Sequence, residues 1–474
     1  MLILVPGLAR TQEVTKGWHT YATTGGQPLP TERDAQRVIE ASFESYQQFG
    51  AFSWEVRDQT ILEDKTIWLV RVGDDRWTSR CCFRRFARRA WLGATPTPMR
   101  ALPSGHHSLA GKRMAVALLG VKETAPGERR VALTPETAKK LAARGAMVWF
   151  EAGAGTAAGF TDQAYLDAGA LLVDDTRWAD IDAVLCVQSP DPARLARLKP
   201  GASVVGLLQP ARDAGLAALA GDPGLQLFPL QLLPRTTRAQ SMDVLSSQAG
   251  MAGYKATLIA AQRAPRFFPM LTTAAGTVRP AKVLVVGAGV AGLQAIATAR
   301  RLGAQVEGFD VRPETREQIQ SLGARFLDLG VSAAGEGGYA RALTDEERAL
   351  QQQRLADHLR GVDVVICTAA VPGRTAPVIL SQAMVEGMAP GSVIVDLAAE
   401  SGGNCAVTVP GECIEHAGVV VDGPLNLASL GAAQASEMYA RNVLNFVSLF
   451  VHDGEVRFDW EDELLAKTRW VAGG

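Results

Sequence analysis

The feature that most constrains the fold is a glycine pattern that directly follows an apolar strand. Residues 282–286 read Lys-Val-Leu-Val-Val and lead into Gly287-Ala-Gly289-Val-Ala-Gly292, where a helical pattern begins. In such a turn the first glycine permits the tight bend, the second lets the backbone approach a ligand, and the third lets helix and strand pack closely. The pattern therefore predicts a strand, turn and helix within a doubly wound α/β fold.

From Met114 onward, short apolar segments alternate with helices that have recognisable ends. The helix after Arg130 has Thr134 as its N-cap, proline in its first position and Gly145 after its last turn. Strands are predicted at 115–119, 147–150, 183–187, 203–208, 282–286, 305–309, 325–329, 363–367, 392–396 and 418–422. This alternation predicts βαβ units and parallel sheets.

Two Rossmann-like, doubly wound parallel-sheet domains separated by a nucleotide-binding cleft would account for the pattern. We place the first domain at 114–250, completed by 430–474, and the second, which carries the glycine pattern, at 251–429. Residues 432–451 have apolar side chains at mostly helical spacing, with no strand pattern after them. We expect this helix to pack back on the first domain.

Residues 1–113 differ from the rest of the chain. They hold five of the nine tryptophans and an arginine-rich run from Arg80 to Arg89, without sustained strand or helix periodicity. We expect an N-terminal extension of unknown structure, either disordered or lying upstream of a true translation start at Met114. The alternatives are an accessory domain or a basic docking surface.

The composition is that of a globular protein and not of a nucleic-acid binder. Hydrophobic residues make up 47% and charged residues 20%, and the formal net charge is -1. The six cysteines show neither a zinc spacing nor a disulfide framework, so we expect no metal site and a reducing cytoplasm. No segment approaches the ~18 uncharged apolar residues that cross a bilayer.

The glycine pattern also predicts a cofactor. Because the pyrophosphate of a dinucleotide binds at a helix that opens on such glycines, Gly287, Gly289 and Gly292 are candidate binding residues. Asp310 follows the next strand, where a carboxylate can accept hydrogen bonds from ribose hydroxyls and repel a 2'-phosphate. We therefore expect NAD(H) in preference to NADP(H), although the nearby Arg312 weakens this inference. The alternative is a glycine turn with a purely structural role.

A dense polar segment, residues 235–254, lies between the two predicted domains. It contains Arg235, Gln240 and Asp243, and leaving such groups buried and unpaired would cost about 1–3 kcal/mol each. Ligands of α/β proteins bind beyond the carboxyl ends of the strands, in clefts of this kind. These residues are therefore candidates for orienting a ligand. The alternative is an interdomain hydrogen-bond network that only fixes the hinge.

From about Met114 to the C-terminus, the sequence resembles the NAD(H)-binding subunit or domain of the proton-translocating NAD(P)+ transhydrogenases, which are related to alanine dehydrogenase. The resemblance rests on the 235–254 segment, the Gly287 fingerprint, Lys122-Glu-Thr with Arg130-Val-Ala-Leu-Thr-Pro, Asp310-Val-Arg-Pro, Gly337-Gly-Tyr339-Ala and Asp396-Leu-Ala-Ala-Glu400-Ser-Gly-Gly-Asn404.

This resemblance implies roles for individual residues. Arg235, Gln240 and Asp243 would be the catalytic residues that orient the nicotinamide, with Gln240 reaching toward the partner's NADP(H). Tyr339 would belong to a mobile loop that closes over the bound nucleotide. The further cofactor-binding residues that we expect are Ser246, Val290, Val311, Arg312 and Ala369.

The resemblance also implies an activity and partners. The enzyme would be Si-side specific and would transfer hydride directly between NAD(H), bound by this chain, and NADP(H), bound by a partner subunit. A further, membrane-spanning subunit would translocate the proton. This chain would form a homodimer in the cytoplasm, peripheral at the inner face of the cell membrane, and would bind no nucleic acid.

Two other functions remain open. An alanine dehydrogenase-like enzyme needs a proton acceptor and a cation for the substrate carboxylate. The resemblance matches its lysine and histidine positions to Gln188 and Gln209, whereas its carboxylate-binding arginine remains as Arg130. Hydride exchange between two nicotinamides needs only close approach and orientation. The remaining possibility is an NAD(H)-sensing regulatory subunit that binds nucleotide without chemistry.

Overall fold

In the computed structural model, the described residues are 115–220, 224–331, 343–370 and 374–471, with the backbone of three strands nearer the N-terminus. These strands form an antiparallel sheet in the order β1 (Trp54–Leu62), β2 (Lys65–Val72), β3 (Thr78–Arg84). These strands were not predicted from the sequence, which shows no sustained periodicity in this region. The register of β1 shifts between Val56 and Asp58, and such a bulge breaks the alternation by which a strand is recognised.

The first α/β sheet contains β4 (Ala117–Gly120), β5 (Met147–Glu151), β6 (Leu171–Val173), β7 (Ala183–Gln188), β8 (Ser203–Leu207) and β9 (Gln226–Pro229). All are parallel, in the order β6-β5-β4-β7-β8-β9. The helices between them are α1 (Pro135–Ala143), α2 (Asp162–Asp167), α3 (Pro192–Leu195) and α4 (Ala214–Leu219). Helix α1 begins as predicted, because the Thr134 hydroxyl accepts a hydrogen bond from the Thr137 N–H.

A 20-residue helix, α5 (Val244–Arg263), connects this sheet to the next. Val244 is buried in the core of the first sheet, whereas Ala256 and Ala260 are buried in the core of the second. The helix thus runs through residue 250, where the sequence suggested a domain boundary. A short antiparallel hairpin follows it, made of β10 (Leu271–Thr273) and β11 (Gly276–Val278).

The second sheet contains β12 (Lys282–Val286), β13 (Gln305–Phe309), β14 (Arg325–Phe326), β15 (Val364–Cys367), β16 (Val393–Asp396), β17 (Cys413–His416) and β18 (Val419–Asp422). Their order is β14-β13-β12-β15-β16-β18-β17, and β17 is antiparallel to its neighbour. The accompanying helices are α6 (Val290–Arg301), α7 (Thr315–Ser321), α8 (Asp345–Leu359) and α9 (Gln382–Glu386).

Both sheets share the doubly wound strand order. In each, the third strand lies at one edge and the first strand pairs with both the second and the fourth. The predicted α/β fold with two Rossmann-like parallel sheets is therefore confirmed. The order reverses between β4 and β7 in the first sheet and between β12 and β15 in the second, and doubly wound folds bind ligands at such points.

The C-terminal elements pack on the first sheet. Helix α10 (Ala432–Val447) contributes Tyr439, Val443 and Phe446 to the core that contains Leu118 of β4. Two strands not predicted from the sequence, β19 (Val451–His452) and β20 (Glu455–Val456), form a hairpin before helix α11 (Glu463–Thr468). Two residues are too few to show strand alternation. Among the helices that the structure describes, none combines the length and apolarity needed to cross a bilayer.

Candidate functional site

The turn between β12 and α6 requires glycine at its first and last positions. Gly287 has φ +94°, and a Cβ there would lie 2.8 Å from the Thr368 hydroxyl at the end of β15. A Cβ on Gly292 would lie 1.9 Å from the Gly287 carbonyl oxygen. A side chain at Gly292 would push α6 away from β12, and one at Gly287 would clash with the residues that follow β15. The turn therefore stands at the strand-order reversal of the second sheet, in the conformation that the pattern predicted.

The middle glycine and the start of α6 leave room for a ligand. A Cβ on Gly289 would meet no atom of the described residues within 4 Å. Gly289 is also the N-cap of α6, which has no side-chain cap, and Val290 after it is exposed. The first N–H groups of α6 can therefore point at an anion, whose charge the helix dipole favours. This cradle fits a pyrophosphate.

Asp310 lies just beyond β13 and fastens the glycine turn to the second strand. Its carboxylate accepts hydrogen bonds from the Ala288 N–H (2.7 Å) and from the backbone N–H, Nε (2.9 Å each) and Nη2 (2.7 Å) of Arg312. Burial works against ionisation of Asp310, but the Arg312 and Ala288 hydrogen bonds outweigh it and lower its pKa. The half-buried Val311 packs on the core between them.

Ala369 lies across the turn from Gly287, and a buried amide holds its backbone. Its N–H donates to Asn404 Oδ1 (2.9 Å), and its carbonyl accepts from Asn404 Nδ2 (2.7 Å). A Cβ on Gly287 would approach the Ala369 nitrogen to 3.0 Å. The structure thus brings Ala369 and the glycine turn together. The role of Asn404 could not be predicted, because nothing in its sequence neighbourhood shows its contact with a residue 35 positions away.

The polar segment forms a 3₁₀ turn, residues Thr237–Met242, that leads into α5. Asp243 is the N-cap of α5: its carboxylate accepts hydrogen bonds from the Ser246 N–H (2.9 Å) and hydroxyl (2.5 Å). Arg235 and Gln240 are exposed. Asp243 and Ser246 are therefore brought together, with a capping role that the sequence did not indicate. Tyr339 lies outside the described residues.

Helix α5 connects this turn to the cofactor cradle. A Cβ on Gly253 would lie 2.0 Å from the Ala291 carbonyl oxygen, so α5 crosses the first turn of α6 in close contact. Asp243 is ten residues before Gly253, which corresponds to about 15 Å of helix. The polar turn and the glycine turn thus lie beside α5 at positions separated along the axis of this helix.

The strand-order reversal of the first sheet is filled by the protein's own side chains. The two carboxylate oxygens of Glu123 accept hydrogen bonds from the backbone N–H groups of Val187 (2.6 Å) and Gln188 (3.0 Å) at the end of β7. Burial raises the pKa of Glu123 to about 7, aided by the charge of Glu128. The Gln188 side-chain amide donates to Glu128 (3.1 Å). Sequence reasoning assigned no role to either glutamate, although Glu123 lies in the Lys122-Glu-Thr motif and Glu128 is close to Arg130 in the sequence.

Arg130 is the centre of this buried network. Its Nε and Nη2 donate to the two carboxylate oxygens of Glu128 (2.8 and 2.7 Å), its Nη1 to Gln248 (2.9 Å) and its Nη2 also to Asn426 (3.1 Å). Arg130 is 4% exposed, and the Glu128 side chain 0%. Burial opposes ionisation of Glu128, but Arg130 lowers its pKa to about 2. Four of the five guanidinium N–H groups are thus already engaged.

Comparison with known proteins places this arrangement in a family. Residues 120–252 match the description "Alanine dehydrogenase/PNT, N-terminal domain", and residues 256–474 match "Alanine dehydrogenase/PNT, C-terminal domain". The chain therefore belongs to the alanine dehydrogenase/PNT family.

Within this family, the chain is similar to proteins named as the first part of NAD(P) transhydrogenase subunit alpha. It is 44% identical to the one from Rhodospirillum rubrum, over 69% of this chain and 88% of that relative, and 40% identical to the one from Rickettsia prowazekii, over 73% and 92%. A crystal structure of transhydrogenase from Sinorhizobium meliloti matches with a TM-score of 0.67 and 44% identity, over 74% of this chain and 97% of that one. Alanine dehydrogenase from Bacillus subtilis is 30% identical over 60% of this chain and 71% of that protein. The resemblance found in the sequence is confirmed.

Proposed function

We propose that this chain is the NAD(H)-binding subunit of a proton-translocating NAD(P)+ transhydrogenase. The observation that carries the proposal is the contrast between the two strand-order reversals. The one beside Gly289 has an open cradle at the start of α6, whereas the one beside Gln188 is filled by Glu123, Glu128 and Arg130. The names of the relatives that are 44% and 40% identical agree with a dinucleotide site.

The cradle supports NAD(H) as the bound nucleotide. Gly287, Gly289, Val290 and Gly292 would hold the pyrophosphate, with Ala369 closing the opposite side. Asp310 would accept a ribose hydroxyl, and its negative charge would disfavour a 2'-phosphate. A carboxylate has about four lone-pair positions, and Ala288 and Arg312 use four. Ribose binding therefore requires the Arg312 side chain to release Asp310, and Val311 and Arg312 would then border the adenosine.

The bound nucleotide supplies or accepts a hydride at its nicotinamide ring, and the chain's own residues would set where that ring stands. Arg235, Gln240 and Asp243 would orient it, with Ser246 beside them and Tyr339 contributing from its loop. Gln240 is exposed, as a residue that reaches toward a second nucleotide must be. Direct transfer requires reacting atoms about 3–3.5 Å apart and good alignment, and no group at these positions needs to move a proton.

The rest of the complex would lie outside this chain. An NADP(H)-binding subunit would present the second nicotinamide, with Si-side specificity at the ring bound here, and a membrane-spanning subunit would couple transfer to proton translocation. The chain would act as a homodimer, in the cytoplasm and peripheral at the inner face of the membrane. The word subunit in the names of the relatives supports the existence of partners. The homodimer, the Si-side specificity and the location are proposed from the resemblance found in the sequence.

An alanine dehydrogenase-like activity is the second candidate, favoured by the retained Arg130. However, Arg130 already pairs with Glu128 through two hydrogen bonds and is further held by Gln248 and Asn426. A substrate carboxylate would have to displace a buried carboxylate from it. Gln188 supplies no cationic group, and its amide is also bound to Glu128. In the first domain, the groups that would bind a 2-oxo acid are thus already hydrogen-bonded to one another.

The deciding experiment mixes the purified chain with a transhydrogenase NADP(H)-binding component and follows hydride transfer from NADH to an NADP+ analogue. We expect transfer only when both proteins are present. Pyruvate plus ammonium, with NADH and the chain alone, is the control reaction and should show no NADH oxidation. Activity in the control without transfer in the mixture would establish the alanine dehydrogenase alternative. NADH binding without either activity would establish the sensing subunit.

A further inference from the structure

The exposed turn Thr237–Met242 is held in place from one side. Ala239 and Met242 are buried in the core of the first sheet, whereas Gln240 and Ser241 between them are exposed. The apolar anchors fix the depth of the turn but leave the orientation of the peptide after Gln240 to polar contacts. What binds the Ser241 backbone therefore decides where Gln240 and Asp243 stand relative to one another.

Two side-chain amides of helix α10 bind that backbone. The carbonyl oxygen of Ser241 accepts hydrogen bonds from Asn442 Nδ2 (2.8 Å) and Asn445 Nδ2 (2.9 Å). The two asparagines are three residues apart on α10, so their side chains project from the same face of the helix. A carbonyl oxygen has two lone pairs, and this pair of amides can fill both.

Stability alone does not explain why an asparagine occupies position 442. The side chain lies in a buried position, and its Oδ1 has no hydrogen-bond partner among the described residues. A buried amide oxygen without a partner costs free energy that an apolar side chain of similar size would not. The benefit that offsets this cost is the bond to Ser241. Asn442 thus serves the backbone of the turn more than the packing of the core.

A second side-chain contact between the turn and the C-terminal elements is weaker. Arg238 forms a two-bond ion pair with Asp462, the N-cap residue of α11. The Arg238 side chain is 57% exposed, and ion pairs in contact with water contribute little to stability. The asparagine pair, shielded on one side by the core, is the more rigid of the two restraints.

We infer that Asn442 and Asn445 are positioning residues for hydride transfer: by binding the Ser241 carbonyl they set the geometry of the Gln240–Asp243 backbone that orients the nicotinamide. The inference rests on the proposed function. Both asparagines bind the backbone of the turn and lie outside the glycine turn, so both act through the polar turn. Because a displacement of about 1 Å at a reacting centre can cost about a hundredfold in rate, small rotations of this peptide should show in transfer and not in binding.

The test uses the full chain and an NADP(H)-binding component, with Asn442→Leu, Asn445→Leu and the double variant. Leucine keeps the branched shape of each side chain and removes the donor. We expect the single variants to slow hydride transfer about tenfold and the double variant more, with the dissociation constant for NADH within twofold of wild type. Asn442→Leu should not lower the melting temperature. Gln434→Leu, at an exposed position of the same helix, is the control and should transfer at the wild-type rate.

Two further measurements separate this inference from the proposed function. Amide hydrogen exchange of residues 237–243 should be faster in the double variant, whether or not the wild-type chain transfers hydride. In a background carrying Gln240→Ala, removing the asparagines should cost little additional rate, since both changes act on one turn. Unchanged exchange in the double variant, or a wild-type transfer rate in it, overturns the inference. A wild-type chain that transfers no hydride overturns the proposed function instead.

Discussion

Gln240 is an exposed residue whose substitution tests the proposed hydride transfer directly. Shortening it by one methylene in Gln240→Asn keeps the amide but withdraws it from the position that it occupies in the turn. We expect NADH affinity to change less than twofold and hydride transfer in the reconstituted complex to slow by about tenfold or more, because the amide orients the ring without carrying binding energy. Titration with NADH and stopped-flow transfer measure the two quantities. An unchanged transfer rate would contradict the assigned role.

Glu123 gives the protein a predicted dependence of stability on pH. Burial raises its pKa from 4.5 to about 7, so the folded chain binds this proton more tightly than the unfolded chain does. The resulting stabilisation is complete below about pH 4.5 and is lost as the pH rises through about 7. It amounts to roughly 3 kcal/mol, since one pKa unit corresponds to about 1.4 kcal/mol.

Glu123→Gln tests this dependence, because glutamine cannot titrate and can still accept one of the two backbone hydrogen bonds. Denaturant unfolding between pH 4.5 and 8 should show a smaller loss of stability with rising pH in the variant than in the wild-type chain. Glu412→Gln is a suitable control, since Glu412 is an exposed carboxylate just before β17. Parallel pH profiles for wild type and Glu123→Gln would mean that Glu123 is ionised in the folded chain at pH 5.

At the scale of elements, two glycines of the same turn should have different roles: Gly292 is needed for packing, and Gly289 is needed for binding. In Gly292→Ala the new Cβ would lie 1.9 Å from the Gly287 carbonyl, so α6 must move off β12. We expect a melting temperature lower by several degrees and weak NADH binding. In Gly289→Ala the Cβ meets no described atom within 4 Å, so stability should be near that of wild type while NADH affinity falls at least tenfold. Calorimetry and NADH titration distinguish the two, and wild-type affinity in Gly289→Ala would exclude a pyrophosphate at this turn.

The elements that could be predicted are those whose signals are local. The Thr134 cap, the glycine turn and most strands of both sheets depend on residues within a few positions of one another. The edge strands β6, β9 and β17 were not predicted. Strand β1 escaped prediction because of its bulge, and the capping role of Asp243 was obscured by the polarity of its neighbours. The doubly wound arrangement followed from the general rule that crossovers between parallel strands are right-handed.

The site contacts that could not be predicted are those between distant residues. Asn426 reaches Arg130 across 296 positions, and Asn442 reaches Ser241 across 201. No spacing rule encodes such pairs, since they depend on how α5 and α10 return to the first sheet. The sequence indicated which residue types were available to the cofactor, but the closed network at the first strand-order reversal became visible only when both halves were folded.

At the scale of the whole molecule, the Arg130 network joins the two α/β halves. Glu128 and Arg130 precede α1 in the first half, Gln248 lies in the connecting α5, and Asn426 follows β18 of the second half. Asn426 has φ +48°, a conformation that asparagine tolerates better than most residues. The network thus fixes the position of the loop that leads into α10 relative to the first sheet. An alanine dehydrogenase-like enzyme would need the Arg130 guanidinium to be free for its substrate carboxylate.

Removing one side of this buried pair should therefore lower the stability of the folded chain. It should leave NADH binding intact. Arg130→Met leaves Glu128 buried without its partner, and we expect a loss of about 3–5 kcal/mol in the free energy of unfolding. The double change Glu128→Gln with Arg130→Met removes both charges and should recover much of that loss. In the double variant, NADH affinity should stay within a few-fold of wild type, because neither residue lies in the glycine turn. Denaturant titration and NADH binding provide the measurements. Equal stability of the single and double variants would contradict the stabilising role of the Glu128–Arg130 pair. A loss of NADH binding in the folded double variant would show that this pair serves a ligand as well as the junction.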